Sequence, residues 1–139
     1  MAQIEARIAN RREEMPTIAR MIEGFGMKHL LPRATVNDLN VALDEVLNNI
    51  ISYGFEPAER SEILVRLTYG ASEIVVEIED TGRPFDPLQA PPPDLAASLR
   101  ERKVGGLGIH FVKSLVDEVA YARIAGRNRL RLSKRLAVA

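Results

Sequence analysis

The sequence predicts an α+β fold: a two-layer sandwich in which helices cover one face of a mainly antiparallel, mixed sheet. Three observations carry this. Several segments alternate apolar and polar residues with the period of two that strands impose. Two longer segments repeat apolar residues at helical spacing. The strand-like segments also come as neighbours joined by short turns, which favours hairpins over parallel crossovers. The 139 residues, 46% hydrophobic and 27% charged, suit one ordinary domain with a real core, so residues 1–139 are read as a single unit.

Each element follows in order. "QIEARIA" alternates Ile4, Ala6 and Ile8 and reads as a first, edge strand. Residues 11–26 place Ile18, Met21, Ile22 and Phe25 on one side of a helix ending near Gly24 or Gly26. Those apolar residues either pack internally or form a homodimer. Pro32 breaks the chain, and a second helix runs from Thr35, a plausible N-cap, to Tyr53, with Gly54 as its stop. "EILVRLTY" and "SEIVVEIED" form a hairpin turning at "GAS". Residues 83–104 hold five of the eight prolines and read as a long irregular excursion, of the kind often used as a lid, with a short helix at "DLAASLRER". A helix from Gly106 to Val116 and two strands, "DEVAYARI" and "RLRLSKRL", joined at "AGRN", complete the chain.

Composition narrows function before any motif does. Lys plus Arg equals Asp plus Glu at 19 each, which leaves no overall electrostatic footprint for nucleic acid or an anionic membrane. No apolar run is long enough to span a bilayer, and the N-terminus lacks a signal peptide's apolar stretch. The absence of cysteine excludes disulfides, thiolate metal sites and a cysteine nucleophile, and fits a cytoplasmic protein. His29 and His110 are the two histidines, and with no metal constellation or hydrolytic triad around them both read as surface residues.

Three stretches carry chemistry. In "TVNDLNVALDEVLNNIISYGF", Ala42, Leu43, Val46, Leu47, Ile50 and Ile51 share one arc, while Asp44, Glu45, Asn48 and Asn49 lie opposite. A core helix with a wet outer face has this pattern too. Yet no Lys or Arg occurs between Ala34 and Glu59, whereas a solvated face usually mixes signs. Glu45 and Asn49 are four apart, so their oxygens can converge, and oxygen ligands suit Mg²⁺, which keeps its remaining positions for water and phosphates.

The second stretch is "DTGRPFDP". Asp80 falls in phase with the inward positions Ile74, Val76 and Ile78. A carboxylate aimed at a core is costly unless paired. It either caps nearby backbone N–H groups in the turn or accepts from a ligand's amino group, with Gly82 letting a flat ring approach the backbone. The third is "VGGLGIHFVKSLVDEV", where Gly105, Gly106 and Gly108 lead into a helix, a pattern that can cradle phosphate. It lacks the Gly-Lys-Ser/Thr of a P-loop and the G-x-G-x-x-G of dinucleotide folds. Arg100, Arg102 and Lys103 form a basic cluster in the excursion, either solvated or turned to phosphate.

Taken in order, "DEVLNNIISYG", "EDTGRPFDP" and "GGLGIHFVKSLVDEV" resemble the N, G1 and G2 boxes of the GHKL superfamily, the histidine-kinase-like ATPases with the Bergerat ATP-binding fold. The resemblance covers residues 35–135. The compact size, the "FDP" and the ending "VDEVAY…RLRLSKRL" look most like its anti-sigma-factor serine kinases.

The resemblance implies an ATP- and Mg²⁺-dependent kinase that phosphorylates a serine on an anti-anti-sigma protein of the STAS type and alternately sequesters a sigma factor. It implies Glu45 as the residue that activates the hydroxyl and Asn49 as the Mg²⁺ ligand. Asp80 would accept from the adenine amino group, with Gly82 beside the base. Gly105, Gly106, Leu107 and Gly108 would form the turn where lid meets helix, with Arg102 the lid cation at phosphate. The family's small hydroxyl residue near adenine has Arg129 and Ser133 as its candidates here. The rival reading is a nucleotide-dependent protein-binding regulator with little or no turnover.

Overall fold

A computed structural model of the chain describes residues 1–89 and 106–136. Its elements run β1 (Ala2–Ala9), α1 (Met15–Lys28), α2 (Arg33–Tyr53), β2 (Glu62–Gly70), β3 (Glu73–Asp80), α3 (Gly106–Leu115), β4 (Glu118–Ile124) and β5 (Arg127–Arg135), with short 3₁₀ turns at Arg12–Glu14 and Pro87–Gln89. The five strands form one sheet in the order β1-β2-β3-β5-β4, and its four pairings are all antiparallel. β1 is an edge strand, as its sequence suggests.

The period-two pattern decides which face is covered. Ile8, Ile63, Val65, Leu67, Ile74, Val76, Ile78, Leu130 and Leu132 turn inward and join the apolar sides of all three helices in one buried cluster. Each such side chain contributes roughly 1.5–3 kcal/mol by leaving water. The outer face is polar, and its charges pair across strands, as Arg66 does with Glu5 at 3.1 Å and Glu77 at 3.7 Å.

Both two-residue hairpin turns have positive φ at their central positions, Ala71 (53°) with Ser72 (59°) and Ala125 (51°) with Gly126 (77°). That is the backbone whose twist matches the flanking strands.

The helix boundaries depart from expectation in two places. α1 passes through Gly24 and Gly26 and continues to Lys28. Gly26 belongs inside the helix because a Cβ there would sit 2.6 Å from Val36 Cγ2, so its bareness lets α1 and α2 approach. The helix stops at Leu30, whose φ of 54° turns the chain back. The Leu31 N–H then donates to the Gly26 carbonyl at 2.9 Å and the Leu30 N–H to that of Met27 at 3.4 Å, the two bonds of a Schellman ending.

α2 begins earlier than expected, with Pro32 at its N-cap. Thr35 is therefore no cap; it is a buried residue of the first turn. The α2 stop at Gly54 stands where the sequence puts it. His29 is no plain surface residue either. It is half-buried, with its ring centroid 4.4 Å from that of Phe25 and 5.7 Å from that of Tyr69. Among the described residues, no helix is long and apolar enough to cross a membrane.

Candidate functional site

The inward face of the sheet changes character along one transverse row. Ile8 pairs with Ile63, Ile63 with Asp80, Asp80 with Asn128 and Asn128 with Arg123. The row is apolar at β1 and polar from β3 onward. Asp80 is only 3% exposed and Asn128 only 6%, so the in-phase carboxylate does point inward.

Two donors satisfy one of its oxygens. The Gly82 N–H reaches Asp80 Oδ1 at 2.8 Å and Asn128 Nδ2 reaches the same atom at 3.0 Å. The second hydrogen of Nδ2 goes to the Arg83 carbonyl at 2.9 Å, and the Tyr121 hydroxyl donates to Asn128 Oδ1. Arg123 Nη1 closes the far end by donating to the Gly82 carbonyl at 2.8 Å. A buried polar network of this kind is stable only when its members are paired.

The turn after β3 is pinned to the end of α2. The Arg83 N–H donates to the Gly54 carbonyl at 2.9 Å. A Cβ on Gly82 would lie 2.5 Å from that carbonyl oxygen and 2.9 Å from Asp80 Oδ1. Gly82 is thus bare because backbone packs against it. It is not among the residues lining the neighbouring cleft.

That cleft opens between α2, α3, β4, β5 and the β3 turn. It holds about 540 Å³ counting its mouth, with Val46, Ile50, Ile109 and Leu130 among its apolar walls and Asp80, Asn128 and Tyr121 as its polar residues deepest in the sheet. Apolar walls with a few convergent polar groups are typical of a small-ligand site. Phe85 and Pro87 also line it, from the segment that follows the turn.

α2 contributes the other polar side. Asn49 lines the cleft, while Asn48 donates to the Asp44 carbonyl at 2.9 Å and accepts from Arg12 Nε at 3.1 Å. Arg12 also bonds the Ser52 hydroxyl. The cation missing from residues 34–59 is thus supplied to the outer side of α2, at Asn48 and Ser52, by the turn before α1. Glu45 and Asn49 instead face α3: a Cβ on Gly108 would lie 2.9 Å from Glu45 Oε2 and 3.4 Å from Asn49 Nδ2. Gly106 and Leu107 open α3. A helix N-terminus carries unpaired N–H groups and a partial positive charge, so the corner combines a carboxylate, an amide and anion-favouring backbone.

Gly105, Arg102, the rest of its basic cluster and the short helix expected at "DLAASLRER" lie outside the described residues. Arg129 and Ser133, the residues weighed for the hydroxyl position, lie on the outer face of β5. Arg129 bonds Glu79 there, at 2.8 Å through Nε and 2.6 Å through Nη2. The residue that faces Asp80 is Asn128, and sequence reasoning passed over it along with Tyr121. The signal was present: Asn128 is in phase with Leu130 and Leu132, as Asp80 is with Ile78.

The family model for the histidine kinase-like ATPase domain matches residues 8–134. The chain is 36% identical over 95 residues to the serine/threonine-protein kinase BtrW of Bordetella bronchiseptica, a match covering 68% of this chain and 67% of that one. It is 27% identical over 88 residues to the serine-protein kinase RsbW of Listeria monocytogenes, covering 60% of this chain and 56% of the relative. In fold it resembles the crystal structure of the RsbU and RsbW domains of a Mycobacterium tuberculosis protein, with a TM-score of 0.72 at 13% identity over 100% of this chain and 34% of that one. The histidine kinase domain of a blue-light activated kinase from Erythrobacter litoralis gives 0.55 at 18% identity, over 88% of this chain and 59% of the other.

Proposed function

The chain belongs to the histidine kinase-like ATPase domain family, and on that premise we propose that it is an ATP-dependent protein serine kinase of the anti-sigma-factor type. Its substrate is a serine on an anti-anti-sigma partner of the STAS type, its alternative partner is a sigma factor, and it works in the cytoplasm. The kinase activity is supported by the names of the relatives, serine-protein kinases at 36% and 27% identity. The two partners rest on the motif resemblance.

The observation that carries the proposal is convergence. One cleft gathers Asn49 from α2 and Asp80 from the end of β3, and the first turn of α3 closes on Glu45 and Asn49 beside it. In this reading the adenine base lies between the apolar walls with its amino group on Asp80. The phosphates lie toward the N–H groups that open α3, near Gly106, Leu107 and Gly108, with Gly105 in the same turn and Arg102 as the lid cation.

The donor set fits Mg²⁺ arriving with the nucleotide. Among the described residues no three His, Cys, Asp or Glu side chains could hold a metal together. A bare cation has no cage there, whereas one amide oxygen of Asn49 beside phosphates and water matches the usual Mg²⁺ shell. When bound, Mg²⁺ neutralises charge on the β- and γ-phosphates. The chain's own residues then position the reactants. Glu45 orients the serine hydroxyl and takes its proton as the oxygen bonds to the γ-phosphorus. The bond from that phosphorus to the β,γ-bridging oxygen breaks, and ADP departs with the electron pair.

The test is transfer of labelled γ-phosphate to a purified STAS-type protein, with Glu45→Gln beside the natural chain. Binding of ATP should survive the change and transfer should be lost. Transfer that survives removes Glu45 from its assigned role, and no transfer by the natural chain, with ATP still bound, favours a regulator without turnover.

A further inference from the structure

We propose that Asn128, held in one orientation by Tyr121, sets the base specificity of the cleft and makes it select a 6-aminopurine over a 6-oxopurine. This rests on the reading of the cleft as a nucleotide site and adds residues to it.

The orientation of the Asn128 amide is dictated by its partners. Nδ2 lies 3.0 Å from Asp80 Oδ1 and 2.9 Å from the Arg83 carbonyl. Both partners are oxygen acceptors in these contacts, so the amino group and not the carbonyl faces them. The Tyr121 hydroxyl donates to Oδ1 from the other side. Turning the amide over would set oxygen against oxygen at two contacts and leave the Tyr121 proton without its acceptor. Both hydrogens of Asn128 are thereby committed within the protein, and none is left to donate to a ligand.

The consequence falls on Asp80. Its Oδ1 accepts from Gly82 and Asn128, and among the described residues no donor reaches Oδ2, while Asp80 lines the cleft. The deep end of the cleft therefore presents an acceptor. An exocyclic amino group can donate to it; a carbonyl at the same position of the ring sets two acceptors against each other in a poorly hydrated place.

Asn128 keeps the carboxylate in that orientation. Without the Nδ2 bond the Asp80 side chain can rotate and no longer holds an acceptor at one fixed place in the cleft. Loss of Asn128 should thus weaken the preference. Tyr121 acts one step further away, as a positioning residue, by fixing which end of the amide faces Asp80.

The experiment is calorimetric titration with ATP and with inosine triphosphate, which carries a carbonyl where adenine has its amino group. It compares the natural chain, Tyr121→Phe, Asn128→Ala and Asp80→Ala. The natural chain should favour ATP on the order of a hundredfold. Tyr121→Phe should reduce that ratio by about tenfold, and Asn128→Ala by at least as much.

The ratio is the diagnostic quantity, because a variant that merely loosens the fold weakens both nucleotides alike. Asn128→Leu, close in size and without a donor for Asp80, decides the matter if Asn128→Ala does not fold. An unchanged ratio in Tyr121→Phe and in the folded Asn128 variant, with Asp80→Ala abolishing the preference, overturns the role of Asn128 and leaves the nucleotide site intact. No binding of either nucleotide at millimolar concentration overturns both.

Discussion

Gly108 and Glu45 meet so closely that a Cβ on the glycine would stand 2.9 Å from the carboxylate Oε2. The first turn of α3 is therefore seated on the polar face of α2, and the contact is open to a clean perturbation. The atom in the way is the end of a flexible side chain, so Gly108→Ala should be accommodated by displacing Glu45. Helix propensity favours alanine over glycine by up to about 1 kcal/mol. We expect the variant to melt at or above the natural temperature while phosphoryl transfer falls on the order of a hundredfold, measured side by side on one preparation.

The end of α1 offers a stability test independent of the site. Leu30 holds a φ of 54° in the Schellman turn, where glycine normally stands, and its side chain is 89% exposed. The left-handed backbone costs a non-glycine residue roughly 1–2 kcal/mol, and little packing is lost on removing an exposed side chain. Leu30→Gly should raise stability by about 1 kcal/mol after the added freedom of the unfolded chain is counted. Urea unfolding should show a higher midpoint at unchanged slope.

The pair that joins α1 to the start of α2 predicts a pH and salt dependence. Arg33 grips Glu23 with both arms, at 2.6 and 2.8 Å. Hydrogen bonding to that guanidinium holds the Glu23 carboxyl below its ordinary value of 4.5. A carboxyl lowered in the folded state adds stability above its unfolded value and loses it as pH falls through the folded one. Because the pair is at the surface, salt should screen it. Melting curves of the natural chain and Glu23→Gln should converge as pH falls below the ordinary carboxyl value of 4.5 and on through the lowered folded one, and as salt rises. A gap between them that persists in acid contradicts the assignment.

Much of this was legible in the sequence, for a definite reason. Alternation along β3 fixes the direction of every side chain, so Asp80 could be placed inward from Ile74, Val76 and Ile78 alone. The same rule applied to β5 places Asn128 inward, opposite Asp80, and sets Arg129 and Ser133, the candidates for the family's hydroxyl position, on the outer face.

The helix ends were harder. Gly24 and Gly26 look like stops, yet the role of Gly26 depends on Val36, a residue of another helix that no local pattern reveals. At the "NN" of 48 and 49, the interval of four from Glu45 favours Asn49, and Arg12, from a turn 36 positions before Asn48, engages the other amide. Local periodicity carries the elements; contacts between distant segments carry the assignment of individual site residues.

The central claim, that Asp80 receives the amino group of a nucleotide base, is tested most directly by calorimetric titration with ATP, with and without Mg²⁺, on the natural chain and Asp80→Asn. The substitution keeps the shape and can keep the bonds from Gly82 and Asn128, but turns a donor toward the base where an acceptor stood. We predict Mg²⁺-dependent binding to the natural chain and a loss on the order of a hundredfold in the variant. Equal affinity in the two proteins, or no binding to the natural chain at millimolar ATP, would contradict the account and leave Asp80 as a cap on its own turn.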